Sequence, residues 1–157
     1  MNTIRLTNSG SGTVIPFPLE QTRRTISENV VTWRANIIKR LENLVRLDNG
    51  WDGYNAPPVS FANASFALQM LDSICEADAP TPQAVPGTTG DLQIEWHTFQ
   101  GDVELHVIGP NRVHAWRRFS GDTENGLEAD LTNDFRPLIA WIQALTEPEV
   151  VHSAAAA

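Results

Sequence analysis

Two imidazoles and two carboxylates recur at alternate positions near the middle of the chain. Gln93, Glu95 and His97 interleave with Leu92, Ile94 and Trp96, and Glu104 and His106 interleave with Val103, Leu105 and Val107. A period of two puts the polar set on one face of a strand and the apolar set on the other. Gln100-Gly101 between the runs reads as a two-residue hairpin turn. That register places Glu95 opposite His106 and His97 opposite Glu104, with Ile94 facing Val107 and Trp96 facing Leu105 behind them. Both faces agree with one register. Glu95, His97, Glu104 and His106 together could ligate a divalent metal or move protons as general acid and base, which would make the chain a small metal-dependent enzyme or metal sensor. The competing reading is two exposed cross-strand ion pairs, each worth at most about 1 kcal/mol. Gly109-Pro110-Asn111 then turns the chain into a third strand over 112–119. With Pro110-Asn111 as the loop, Trp116 opposes Leu105 inside and Arg117 opposes Glu104 outside. His114 falls on the opposite face and stays out of the set.

A second candidate is the loop Asp48-Asn49-Gly50-Trp51-Asp52-Gly53-Tyr54-Asn55-Ala56-Pro57-Pro58. Asn-Gly and Asp-Gly supply turn positions, and paired prolines bar helix. It fails as an EF-hand, because Gly50 and Val59 stand where calcium ligands are required. Trp51 and Tyr54 are candidate partner contacts, since aromatic side chains dominate binding hot spots. Otherwise Trp51 folds back as a plug while Asp52 caps local amides.

These residues need a frame. Thr25 with Glu28 fits a capping box, and Val30, Trp33, Ile37, Leu41 and Leu44 recur at helical spacing over about 26–47. Ser60 is a good N-cap for a second helix carrying Ala64, Ala67, Leu68, Leu71, Ile74 and Cys75. Pro80-Thr81-Pro82 and Pro86-Gly87 read as an extended connector. Residues 120–131 read as an acidic loop, and Phe135, Leu138, Ile139, Trp141, Ile142 and Leu145 as a last helix over about 133–146. Residues 1–24 read as an extended or flexible arm, 25–147 as one globular domain and 148–157 as a frayed tail. The order α-α-β-β-β-α predicts an α+β fold, a three-stranded antiparallel meander with helices on one face. Trp33, Trp96, Trp116 and Trp141 all fall on expected core faces.

Charge narrows the function. The 157 residues carry a net charge of −8. Residues 1–46 hold seven cations against three acids, and the remainder holds four against sixteen. The basic part either lies on the acidic part of its own fold or, through Arg23 and Arg24 in the arm, contacts nucleic acid or an acidic partner. An acidic body repels phosphate, so direct nucleic-acid binding by the whole chain is disfavoured. No apolar run is long enough to span a bilayer and no signal peptide is read, so a cytoplasmic location is expected. A homodimer is compatible with the sequence. One cysteine excludes an internal disulfide framework, and Cys75 on a buried helix face does not suit a nucleophile. Dinucleotide, phosphate-loop, H-E-x-x-H and G-x-S-x-G signatures are absent, and no cofactor is expected.

Gly50-Trp51-Asp52-Gly53-Tyr54 with Ala56 and Pro58, followed by Gly90-Asp91-Leu92-Gln93-Ile94-Glu95-Trp96, resembles a loose group of small uncharacterised bacterial proteins with a W-D-G-Y-G-A-x-P loop and a later G-x-I-x-L-E-W strand. Asn55 stands where that pattern has glycine. The resemblance spans residues 44–108 and carries no activity, hence no catalytic residues. It implies a bacterial or mobile-element origin, and a loop that docks on the first hairpin strand. The leading functional reading is a non-enzymatic acidic module of antitoxin, immunity or inhibitor type. It would mask a basic or nucleic-acid-binding surface of a protein partner, using Asp122, Glu124, Glu128 and Asp130 with Trp51 and Tyr54.

Overall fold

The computed structural model describes residues 33–146. In chain order these form α1, helical over 33–45, α2 (Phe61–Ile74), β1 (Gln83–Pro86), β2 (Leu92–His97), β3 (Gly101–Gly109), β4 (Arg112–Phe119), β5 (Leu127–Leu131) and α3 (Pro137–Thr146). The expected arm with Arg23 and Arg24, the capping box at Thr25 and the tail over 148–157 lie outside the described residues.

The helices follow their apolar spacing. Trp33, Ile37, Leu41 and Leu44 of α1 are buried, as are Ala64, Ala67, Met70, Leu71 and Ile74 of α2. The Ser60 hydroxyl accepts from Asn63 N at 3.1 Å and starts α2, satisfying one of the amides a helix leaves unpaired at its first turn. α3 begins at Pro137, later than the spacing predicts. Proline disfavours helix in the residue before it and fits the first helical position, where no N–H is needed. Phe135 is thereby left outside the helix, and its ring meets Phe66 edge-on at 5.5 Å.

The α+β class holds, but the sheet has five strands in the order β1-β2-β3-β4-β5, every neighbour antiparallel. The two strands missing from the three-stranded expectation flank it. β1 is short and ends on Pro86, which only an edge strand tolerates. β5 lies inside the expected acidic loop. Its Leu127, Ala129 and Leu131 pair with Arg117, Ala115 and Val113 on the inner side, and Glu128 and Asp130 point the other way.

Both hairpin registers differ from expectation. The first turn is Phe99-Gln100, closed by Thr98 N to Gly101 O at 3.0 Å and Gly101 N to Thr98 O at 3.2 Å. Gly101 belongs to β3 opposite Phe119, where an added Cβ would strike the Arg118 carbonyl and the Phe119 ring. Its glycine serves close approach of two backbones, not the turn. Ile94 therefore meets Leu105, Trp96 meets Val103 and Glu95 meets Glu104. This slip of two residues leaves every side chain on its expected face. The second turn is at Pro110-Asn111 as expected, with Asn111 at φ 57°. However, β3 carries a bulge between Val107 and Gly109. One extra residue exchanges the two faces of everything beyond it. Trp116 and His114 consequently join the outer face, and Arg117 joins the inner one, which corrects the expected core position of Trp116.

Leu92, Ile94, Trp96, Val103, Leu105 and Val107 of the inner face pack in one buried cluster with Leu44, Leu71, Leu138 and Ile142 of the helices. Trp96 is 2% exposed and its indole N–H donates to Pro80 O at 2.8 Å. Among the described residues no helix is long and apolar enough to cross a membrane.

Candidate functional site

The outer face of the sheet carries the polar chemistry, in three rows set by strand register. The first row runs Gln93–His106–His114–Asp130, the second Glu95–Glu104–Trp116–Glu128 and the third His97–Asp102–Arg118. Gln93, Glu104, His106, His114, Trp116 and Glu128 line a shallow concavity of ≈ 420 Å³. Glu95 and Glu104 stand directly opposite each other, an arrangement that costs free energy through like-charge repulsion. Each is relieved from an adjacent row: Gln93 Nε2 donates to Glu104 at 2.8 Å, and His97 Nε2 lies 3.3 Å from Glu95. Glu128 has no polar partner of its own among the described residues. The guanidinium of Arg118 sits 5.7 Å from the Trp116 ring centroid, within the range at which a ring face attracts a cation. The Trp116 indole N–H donates to Asn125 O at 2.9 Å, which anchors the ring to the β4–β5 connection.

The expected metal set does not assemble. His106 Nε2 lies 2.5 Å from Asp91 Oδ2, and His97 Nδ1 lies 3.0 Å from Asp102 Oδ1. The slip of two residues brought Glu95 against Glu104, left His106 with Asp91 and set His97 between Asp102 and Glu95. Among the described residues no group of three or more histidine, cysteine, aspartate or glutamate side chains is placed to hold a metal ion.

The shortest side-chain contact on this face is made by Asp91, just before β2. Its side chain is only 14% exposed. Oδ1 accepts from Thr89 N at 3.0 Å and Thr89 Oγ1 at 2.8 Å. Burial alone would raise its carboxyl, but hydrogen bonds from His106 and Thr89 outweigh it and hold the carboxyl down at about 2. An ionised carboxylate only accepts, so His106 Nε2 carries the hydrogen. His114 makes a similar but exposed pair, Nδ1 to Asp130 Oδ1 at 2.8 Å. At the far end Asp102 raises the His97 pKa through its hydrogen bond, against the effect of burial. His97 and Arg118 in turn keep the Asp102 carboxyl low.

The other sequence candidates divide. Glu128 and Asp130 lie on the outer face of β5. Glu124 is exposed in the β4–β5 connection. Asp122 is engaged within the fold, accepting from Phe119 N at 2.9 Å and lying 3.4 Å from Arg117 Nη1. Trp51 is partly buried and folds back on its own loop, donating to Pro57 O at 2.9 Å. Asp52 accepts from Tyr54 N at 2.9 Å and Ala56 N at 3.1 Å. Tyr54 is 84% exposed. The far end of this loop is tied to the residue before Asp91: Ser60 N and Asn63 Nδ2 both donate to Gly90 O, at 2.9 and 2.8 Å. Burial, with a smaller effect of Asp72, pushes the Cys75 thiol up to about 12, so it stays protonated and unreactive.

Two residues of the concavity, His114 and Trp116, fall on the other face in the register expected from sequence, and Asp91, the partner of His106, is not among the sequence candidates. A bulge leaves no residue-type mark in Val107-Ile108-Gly109, so His114 and Trp116 carried no signal. Asp91 carried little signal either, because its carboxylate accepts from Thr89, two residues back, where an aspartate turn bonds the amide two residues on. Comparison of the chain with protein-family models, curated proteins and solved structures finds no match.

Proposed function

We propose that the chain is a non-enzymatic, acidic protein-binding module of antitoxin, immunity or inhibitor type, and that its contact surface is the outer face of the sheet. The observation that supports this is the middle row, in which three carboxylates and an indole cross four strands beside a shallow concavity. A lysine or arginine from a partner would be met by Glu104 and Glu128 and by the ring face of Trp116. It would also relieve the repulsion between Glu95 and Glu104. The net charge of −8 would steer a basic partner toward the face, raising association rates at low salt. A surface that normally binds nucleic acid is the partner chemistry this fits. The loop-and-strand resemblance adds a bacterial or mobile-element origin to the reading.

An acetylated hexa-arginine peptide is the probe. Titrated into the full chain at low salt, it should bind, and affinity should fall about tenfold, equivalent to about 1.4 kcal/mol, in the E104Q/E128Q variant and in Trp116→Ala. The E76Q/D78N variant removes the same charge far from the face and should bind as the parent does. Equal losses in both double variants would reduce the effect to bulk charge and end the proposal.

A further inference from the structure

The sheet has two edges, and among the described residues only one is closed. At β1 the edge is four residues long, Pro86 has no N–H to offer, and Arg40 Nε donates to Ala84 O at 2.8 Å. Proline and a covering side chain are common ways to blunt a strand edge. β5 has neither. All of its residues, Leu127–Leu131, keep an N–H, and each is exposed or partly exposed. Among the described residues, no hydrogen bond from outside the sheet reaches its backbone. About half of its N–H and C=O groups point away from β4.

We infer that β5 receives an extended, basic segment of the partner, which adds to the sheet as a sixth strand. This rests on the reading of the outer face as the contact surface and specifies how the partner lies on it. Strand addition draws affinity from main-chain hydrogen bonds and specificity from alternate side chains. On the outer side the added strand meets Glu128 and Asp130, beyond Trp116 and His114 in their rows. Lysine or arginine at every second position fits there. On the inner side it extends the row of Leu127, Ala129 and Leu131, and Leu127 is 47% exposed. β-branched apolar residues at the intervening positions fit there. The partner segment is therefore an alternation of cations and apolar residues.

Charge argues against a second copy of this chain. Two β5 strands paired antiparallel about Ala129 would set Glu128 opposite Asp130 twice, and paired parallel in register they would set each acid against itself. Like charges directly opposite disfavour pairing, so the acids that admit a basic strand also deter self-association.

The probe is the peptide acetyl-Thr-Lys-Val-Arg-Val-Lys-Thr-amide, measured by calorimetry against the full chain. Two further peptides carry backbone N-methyl groups, one on the odd residues and one on the even. An added strand uses one of these sets for pairing and turns the other to solvent. The expected result is that one methylated peptide loses at least about tenfold in affinity while the other keeps that of the parent, and that Glu128→Lys, checked for folding by circular dichroism, loses as much. Equal affinity of all three peptides would overturn edge pairing and leave the acidic face intact as the contact surface. No binding of the parent peptide, with hexa-arginine still bound, would overturn edge pairing alone. No binding of either probe would overturn both. A dimer of the chain in sedimentation that Glu128→Lys abolishes would show that a second copy holds the edge, and would overturn the inference too.

Discussion

The inner and outer faces of β4 each hold one residue suited to the other. Arg117 points inward, and its guanidinium stacks over Phe119 and Trp141 with centroids at 4.6 and 5.4 Å. Trp116 points outward among carboxylates. The inner face accommodates its cation by aromatic stacking and by Asp122, but Arg117 Nε is buried without a partner among the described residues. A buried polar atom left unpaired has a free-energy cost. Trp116, by contrast, satisfies its only side-chain donor through Asn125 and keeps its ring partly accessible. The inner exception thus burdens stability and the outer one offers a surface to bind, although both follow from the same bulge.

Both residues meet at Gly126, so the largest effect is expected there. A Cβ at this position would strike the Arg117 carbonyl and the Trp116 indole, and its φ of 71° is unfavourable for a β-branched residue. Gly126→Val should cost about 3 kcal/mol in urea denaturation and disturb both faces at once. Full stability in that variant would break the claim that the faces share an anchor. Next, Arg117→Ala should cost about 2 kcal/mol by emptying the space between two rings. Arg117→Met, which fills that space without a buried donor, should be at least as stable as the parent. If methionine were as damaging as alanine, the guanidinium itself would be the stabilising group.

On the outer face the contact with the lowered carboxyl is Asp91 with His106. Its folded carboxyl lies at about 2, below the ordinary 3.8, so its contribution is fully present above the ordinary value and is lost as pH falls through about 2. Asp91→Asn should cost about 1–2 kcal/mol at neutral pH and almost nothing near pH 2, flattening the acid limb of stability against pH. An unchanged acid limb would refute the pairing with His106. The smallest effect is expected for deletion of Ile108. It removes the extra residue of the bulge, its side chain is already 43% exposed, and Val107 and Gly109 keep Val113 and Arg112 as partners. The loss should be about 1 kcal/mol or less, with the fluorescence difference between the deletion and its Trp116→Phe variant still that of a partly exposed ring. A blue shift would mean that the faces had exchanged.

These residues also mark how far the fold could be read from sequence. Ser60 and the apolar spacing of α1 and α2 are local signals, decided within a few residues, and they hold. Trp96 and Val107 keep their faces despite the wrong register, because a slip of two preserves parity. β5 was hidden by its acids: Leu127, Ala129 and Leu131 alternate, but an open edge strand is permitted charges that obscure the pattern. The site was less legible than the fold. Its rows depend on register across four strands, and one unmarked residue in β3 decides whether Trp116 and His114 belong to it.

The all-neighbour order of the sheet has a kinetic consequence. Each strand pairs only with those beside it in sequence, so the sheet can close hairpin by hairpin, each on a timescale of about 1–10 µs, without a long-range search. The links that span more chain, such as Asn63 to Gly90 and Arg40 to Ala84, join the helical layer to the β1–β2 end. β5 stands at the opposite end of that sequence of closures and has no such tether among the described residues. The strand that would take a partner is thus the one whose pairing can open with the least disturbance to the rest, so it is where hydrogen exchange should be fastest within the sheet.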